Sequence, residues 1–260
     1  MCMAFTCVYA LFSYPTLTFN QSFSCLYGND HVVFLDNEGK LVQISLDSNT
    51  GGGFISQNAY LHAYFSASVK LQAGYTAGAV ATFYTSNVNI YASNSHDKLD
   101  FMFLDNIEGK RIKRGREERY NLWFDPTQDF HAYRILWTSN WIVFYVDELG
   151  GDFLSKPMSL YATIWDGSSW LGKPINYTYA PFVTKCSNFI LHGCSVDPTR
   201  KPPKCEGGFD LDLSFKGMKN FRLKQMTYSY CNDRKRYSTS LPESEMDPEE
   251  ARKLSNGLSS

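Results

Sequence analysis

The chain has 260 residues, of which 43% are hydrophobic and 16% aromatic, and its formal net charge is −1 at pH 7. This is enough to bury a sizeable core, as one large all-β domain or two small ones. The near-neutral balance gives no electrostatic reason to expect nucleic acid or an anionic membrane surface as a partner. No apolar run approaches the roughly 20 residues that span a bilayer, so we expect no integral membrane association.

The N-terminal stretch 2–14, CMAFTCVYALFSY, has the length and apolarity of a secretion-signal core. No Lys or Arg precedes it and no small-x-small cleavage site follows, so we interpret 1–17 as a degraded signal peptide. A wrongly assigned start of the chain is the alternative that stays open. Two N-x-S/T sequons begin at Asn20 and Asn176, and these candidate glycosylation sites fit a secreted protein.

Alternating apolar and polar residues, bounded by turn signals, predict many short strands. The best signal is Tyr60–Leu71, which alternates strictly throughout. Weaker candidates with the same pattern are Leu41–Leu46, Ala79–Tyr84, Lys98–Leu104, Tyr133–Trp137, Trp141–Val146 and Ser159–Trp165. Short strands separated by turns rich in Gly, Asn and Asp favour an antiparallel sandwich.

The region after Cys205 departs from this pattern. Leu213–Tyr228 carries apolar side chains at roughly helical spacing and predicts one helix appended to the sandwich. The polar end of the chain predicts a frayed tail. We therefore divide the chain into the signal segment 1–17, a β-domain over 18–193, a C-terminal extension over 194–245 and a polar tail over 246–260.

Several aromatic side chains lie on the face of a strand that points away from the predicted core. Tyr161 and Trp165 share that face of Ser159–Trp165, and Trp170 follows closely. Flat apolar rings with polar tips suit the CH faces of sugars, so these residues are candidate carbohydrate contacts. A similar row begins at Tyr60. The alternative is that these rings pack beneath a loop or the appended helix.

Cysteine and histidine spacing gives no sign of a metal site. The seven cysteines form no C-x-x-C pair and the five histidines are far apart in the sequence, so we expect no metal and no other cofactor. Cys194 and Cys205 flank a Pro-rich segment and could close a short loop as a disulfide.

The stretch 96–105, HDKLDFMFLD, has one apolar side and one mixed side. Its alternation places Leu99, Phe101 and Phe103 towards a core, and the open side carries Lys98, Asp100 and Met102. Two carboxylates on one strand face, separated by another acid, would be a glycosidase constellation. This row has that geometry but lacks that chemistry.

HDKLDFMFLDNIEGK resembles the H-D-E-I/L-D-F-E-F-L-G-N motif of the plant xyloglucan endotransglucosylase/hydrolases, in glycoside hydrolase family sixteen. Other segments resemble the same family in its order, among them LDSNTGGGFIS, RGREERYNLWFDPTQDFHAYRILW, KPMSLYATIWDGSSW and LHGCSVDP. The resemblance runs from about Thr18 to Pro242. It implies a concanavalin-like β-jelly-roll sandwich with a short C-terminal helical extension. The implied reaction cuts the xyloglucan backbone through a covalent glycosyl-enzyme and passes it to a sugar acceptor or water.

The resemblance also implies roles for individual positions. The nucleophile position falls on Lys98, the auxiliary acid on Asp100 and the acid/base position on Met102, so both catalytic Glu are replaced. Together with Tyr161, the substrate-contacting positions are Gly115, Arg116, Glu117, Trp165, Trp170, Gly172 and Arg236. For the turn RGREER, a solvated charged turn is the open alternative. The family pairing implies a Cys194–Cys205 disulfide.

We therefore expect a secreted, monomeric protein of the cell wall or apoplast that interacts with xyloglucan or a related β-glucan. Loss of both Glu predicts that catalysis is absent or strongly impaired, which leaves its status as an enzyme open. One alternative is an active transglycosylase or hydrolase that uses Asp97, Asp100 or Asp105. The other is a decayed gene product without function.

Overall fold

The structure is a computed structural model that describes residues 14–87, 97–104, 117–138, 142–147, 158–196, 224–230 and 233. Its strands are, in chain order, β1 (Phe23–Tyr27), β2 (Val32–Phe34), β3 (Leu41–Leu46), β4 (Gly52–Ser56), β5 (Ala59–Leu71), β6 (Ala79–Ser86), β7 (Lys98–Phe103), β8 (Glu118–Tyr120), β9 (His131–Trp137), β10 (Ile142–Val146), β11 (Ser159–Asp166), β12 (Phe182–Val196) and β13 (Met226–Ser229). The helical elements are α1 (Phe19–Ser22), α2 (Ser168–Leu171) and the 3₁₀ turns Asn29–His31 and Tyr177–Tyr179.

Two antiparallel sheets pack against each other over one apolar core, as the sequence predicts. Over the described residues, the first sheet has five strands in the order β1-β4-β11-β6-β7, and the second has six in the order β10-β9-β5-β12-β3-β2. A small third sheet pairs β13 with β8. The fold is the β-jelly-roll sandwich expected from the sequence, and β7 lies at one edge of the five-stranded sheet as described.

Alternation explains how β7 is fixed in this sheet. Leu99 is buried, and the rings of Phe101 and Phe103 contact Tyr133 on the opposite sheet with centroids 5.3 and 4.8 Å away. Because successive side chains of a strand point to opposite faces, this burial turns Lys98, Asp100 and Met102 away from the core. We call that side of the five-stranded sheet the open face.

The prediction of strict alternation along β5 is wrong at one position. His62 has φ +65°, and the pairing of β5 with β12 shifts register between Gly193 and Cys194. This irregularity reverses the direction of the side chains before it, so Tyr60 lies in the core against Phe65. Tyr60 is therefore not part of an open aromatic row.

The predicted helix over Leu213–Tyr228 lies mostly outside the described residues, and the prediction is wrong for its last turn. Met226–Ser229 forms strand β13, in which Met226 is opposite Tyr120 and Ser229 is opposite Glu118. Met226 is buried by this pairing. Among the described residues, no helix is long and apolar enough to cross a membrane.

Candidate functional site

Side chains of β7, β6 and β11 form rows across the open face, because these strands are neighbours. In one row Asp100 lies opposite Tyr84, which lies opposite Tyr161. The ammonium Nζ of Lys98 is 3.0 Å from Asp100 Oδ2 and 4.2 Å from the ring centroid of Tyr84. The Tyr84 ring stacks on Tyr161, with centroids 4.7 Å apart and planes at 5°. We call these four residues the Lys98 cluster.

Tyr84 links the two halves of this cluster. Burial is the main cause that raises the pKa of its phenol, and the neighbouring Tyr161, Tyr27 and Asp100 add to the effect. The phenol is therefore neutral at any physiological pH. Tyr84 is absent from the sequence-based site because strand register, which places it opposite Asp100, is not readable from the alternation of a single strand.

The prediction that Tyr161 offers an open platform for a sugar is wrong. Its side chain is 1% exposed, since the ring of Tyr84 stacks against it. An aromatic ring needs an accessible face to contact a ligand. Tyr161 instead supports Tyr84, which is the half-buried member of the pair.

Met102 occupies the next row along the open face. It lies opposite Thr82, which is opposite Thr163. The hydroxyls of the two threonines are buried and 2.6 Å apart, so one of them donates a hydrogen bond to the other. Met102 thus lies opposite a buried, hydrogen-bonded pair of threonines.

Lys98 and Met102 stand at the spacing of a glycosidase pair. Positions i and i+4 of a strand lie about 13 Å apart at Cα, so catalytic carboxyl groups about 5 Å apart must reach towards each other across the residue between them. That central residue is Asp100, the one acid within β7. Lys98 and Asp100 form an ion pair, and their side chains are 32% and 26% exposed, so this row carries a paired cation and anion followed by a neutral thioether.

Two tryptophans lie beyond the Met102 row. Trp165 follows Thr163 by two positions on β11, which places it about 7 Å further along the sheet and about 10 Å across from the Met102 strand position. Trp170 belongs to α2, and the centroids of the two rings are 6.4 Å apart at 42°. Both rings are half-buried and offer partly accessible apolar surface.

Hydrogen bonds hold α2 at the end of β11. Gly172 ends the helix with φ +74°, a left-handed conformation that strains other residues. Asp166 accepts hydrogen bonds from the Ser168 backbone N–H at 2.8 Å and from the Tyr177 hydroxyl at 2.7 Å. Burial raises the pKa of Asp166, but the bonds from Ser168 and Tyr177 outweigh it and leave the pKa below its usual value. Asp166 is therefore charged and fixes the turn that carries Trp170.

Glu117 is the described member of the predicted sugar-contacting triplet. Its Oε1 accepts from Nε of Arg119 at 2.8 Å beside the β8–β13 sheet, so its carboxylate takes part in an ion pair. The other predicted residues of this kind lie outside the described residues: Gly115, Arg116 and Arg236.

The remaining predictions concern a disulfide, two glycosylation sites and the absence of a metal site. Cys194 is disulfide-bonded and Cys205 lies outside the described residues, so their pairing stays a prediction. Asn20 and Asn176 are both exposed. Within the described ranges, no three His, Cys, Asp or Glu side chains come together as a metal would require.

Fold and sequence together define the class of the chain. The family model of glycosyl hydrolases family 16 matches residues 19–180, and that of the xyloglucan endo-transglycosylase C-terminus matches residues 213–245. Two relatives from Arabidopsis thaliana, probable xyloglucan endotransglucosylase/hydrolase proteins 27 and 28, are each 45% identical over 95% of this chain and 84% of their own. The chain belongs to the xyloglucan endotransglucosylase/hydrolase family.

Solved structures agree with the fold. A Bacillus licheniformis β-glucanase aligns with a TM-score of 0.52 over 66% of this chain and 92% of its own, at 18% identity. The Crh5 transglycosylase in complex with NAG aligns with a TM-score of 0.53 over 73% of this chain and 89% of its own, at 13% identity. At these identities the likeness shows the shared jelly-roll alone.

Proposed function

We propose that this chain is a cell-wall protein that binds xyloglucan or a related β-glucan and has lost the cleavage and transfer reaction of its family. The observation that carries the proposal is the identity of the residues at the two catalytic positions. They are Lys98 and Met102, on the same open face of β7 and on either side of Asp100.

Neither side chain can take the role of the acid that it replaces. An ammonium cannot form a glycosyl ester, and a thioether has no proton to give to the leaving oxygen. Loss of general acid catalysis alone costs on the order of 10² to 10⁴ in rate, and loss of the nucleophile adds to that. The positions therefore favour a protein with no family turnover.

The Lys98 cluster strengthens this argument. The ammonium group is held by Asp100 at 3.0 Å and by the face of Tyr84 at 4.2 Å, so it is fixed where the substrate would develop positive charge. A fixed cation opposes an oxocarbenium-like transition state. Asp100 is engaged by the same ammonium, which lowers its use as a substitute nucleophile.

A route through another carboxylate has little support. Asp97 precedes β7 with the opposite strand parity to Asp100, and its backbone N–H is bonded to Oδ1 of Asn87 at 2.9 Å. Asp105 lies outside the described residues. The proposal therefore retains polysaccharide binding rather than rearranged catalysis.

The binding part of the proposal rests on Trp165 and Trp170. The strand position of Trp165 lies roughly 12 Å from that of Met102, a distance that one extended polysaccharide chain spans. The half-exposed ring of Trp170 is 6.4 Å from that of Trp165. Family membership supports the choice of xyloglucan or β-glucan and a location in the apoplast. We propose that the chain is a monomer.

The test is affinity electrophoresis of the purified chain through xyloglucan, run beside a transfer assay with a labelled oligosaccharide acceptor. We expect retardation without transfer. Trp165→Ala is expected to abolish most of the retardation. Trp123→Ala, which truncates a 43% exposed ring in the loop after β8, serves as the matched control. Transfer by the unaltered chain would refute the loss of catalysis, and equal mobility with and without xyloglucan would refute binding.

A further inference from the structure

Two exposed tyrosines form a pair on the surface loops next to α2. Tyr75, in the loop between β5 and β6, is 48% exposed, and Tyr179, in the 3₁₀ turn, is 51% exposed. Their ring centroids are 4.9 Å apart at 37°. Two exposed rings in contact offer a continuous apolar surface with polar tips, on which the apolar face of a ligand can pack.

The two loops that carry this pair are held together by close packing. Gly78 has φ +96°, and a Cβ built on it would lie 2.8 Å from Cα of Ile175. Ile175 is buried, and its backbone N–H is held by Ser168 Oγ at 2.8 Å. The tyrosine pair therefore sits on a fixed base rather than on two independent loops.

An exposed sequon lies in the same turn. Tyr179 N–H donates to the carbonyl of Asn176 at 3.2 Å, which closes a turn and keeps their Cα atoms within about 7 Å. Oδ1 of Asn176 accepts from the backbone and the hydroxyl of Thr178, at 3.1 and 2.8 Å. Within the described residues this leaves its Nδ2 open to modification.

We propose that Asn176 carries an N-linked glycan whose innermost N-acetylglucosamine packs on the Tyr75–Tyr179 pair. The apolar CH face of a sugar ring complements an exposed aromatic ring, and attachment three residues from Tyr179 brings the sugar there at high local concentration. In the covalent step, Nδ2 bonds to the anomeric carbon of a polyprenol-diphosphate oligosaccharide. Nδ2 loses a proton and polyprenol diphosphate leaves.

The inference rests on the proposed secretion but not on polysaccharide binding. The full chain is expressed in plant cells as Asn20→Gln, so that Asn176 is the one predicted sequon under study. Mass spectrometry is expected to find the glycan at Asn176, and an unmodified Asn176 would overturn the inference. A second version with a standard secretion leader separates failure of secretion from failure of the site.

Packing is measured separately from attachment. An endoglycosidase that leaves one N-acetylglucosamine should preserve the melting temperature, whereas full removal should lower it by about 2 °C, the effect of one aromatic contact in a domain of this size. The same removal from Tyr75→Ser/Tyr179→Ser should change nothing. Equal shifts in both proteins would overturn the packing.

Chemical nitration provides a readout without altering the tyrosines. Tyr75 and Tyr179 should react slowly while the single sugar is attached and several-fold faster after its removal. Equal nitration in both forms would overturn the proposed contact. Protection by added xyloglucan, rather than by the attached sugar, would also overturn it and would assign the pair to polysaccharide binding.

Discussion

The proposed loss of catalysis at the open face can be tested by placing an acid at both position 98 and position 102. The variant Lys98→Glu/Met102→Glu places three acids in alternation along β7, with Asp100 between the two new carboxylates. Their Cα atoms would be about 13 Å apart, so each side chain must reach about 4 Å towards the other to bring the carboxyl groups to the roughly 5 Å of a retaining glycosidase.

The expected gain follows from the roles of the two groups. A general acid alone is worth about 10² to 10⁴ in rate, so the double variant should transfer xyloglucan at least about 100-fold faster than the unaltered chain. Either single change should give no measurable gain, because the nucleophile and the acid act in the same reaction. Loss of the Lys98–Asp100 pair and of the contact with Tyr84 should cost about 1 kcal/mol of unfolding free energy.

The assay is transfer of a labelled oligosaccharide acceptor, measured for the double variant beside Lys98→Gln/Met102→Gln as a matched uncharged control. Urea unfolding of both variants shows whether each is folded. A folded double-Glu variant without transfer would refute the reasoning that positions 98 and 102 limit activity. It would move the cause to the parts of the cleft outside β7, β6 and β11.

Three further predictions follow from local geometry. Gly78→Ala should destabilise the chain more than Gly74→Ala in urea unfolding, because both have positive φ but a Cβ at Gly78 meets Ile175 whereas one at Gly74 has nothing within 4 Å; equal losses would contradict this. The pKa of Asp166 is lowered in the fold, so the charged carboxylate stabilises the folded chain above the pKa of the unfolded state, and this stabilisation is lost as the pH falls below about 4. The difference in unfolding free energy between the unaltered chain and Asp166→Asn should therefore shrink at low pH. A difference that stays constant with pH would contradict this. Burial raises the pKa of the Cys186 thiol to about 12, so a thiol reagent at neutral pH should label it upon unfolding and not before; rapid labelling of the folded chain would oppose this.

Alternation alone predicts those strands that have one buried side and regular pairing. β3 is found at Leu41–Leu46, as predicted, and β7 and β11 begin at the predicted residues Lys98 and Ser159. In these strands one row of side chains belongs to the apolar core, so the period-two pattern survives in the sequence. The assignment of Lys98, Asp100 and Met102 to one face depends on this regularity.

The same reasoning fails where a strand contains an irregularity. β12, over Phe182–Val196, is missed by the sequence analysis because its pairing with β5 shifts twice and Asn188 has φ +51°. Each shift changes which side chains face the core, so no single period describes the strand. The left-handed conformation of His62 likewise changes which side chains of β5 face the core, and it places Tyr60 in the core instead of on the opposite face.

Partners on neighbouring strands are a second kind of information that one strand does not contain. Tyr84 and Thr82 become part of the site because β6 pairs with β7 in one register, and a shift by one residue would replace them by core residues. Tyr161 has the predicted strand face, but the stacking of Tyr84 removes its exposure. The position of a residue along one strand thus predicts which face of the sheet its side chain points to. Whether that side chain is accessible to solvent depends on the residues of the neighbouring strands.

On the proposed loss of catalysis, no single substitution in the Lys98 cluster is expected to supply the reaction. Lys98→Glu alone would replace the cation of the Lys98–Asp100 ion pair by a second carboxylate, and Met102 would still lack a proton to donate. Met102→Glu alone would supply an acid opposite the buried threonine pair, but the ammonium of Lys98 would remain at the nucleophile position with Asp100 and Tyr84. Each single change therefore gives up a local contact or adds a charge without completing the reaction, and a gain in transfer requires both. This coupling is the reason that the double variant, rather than either single variant, is informative about the site.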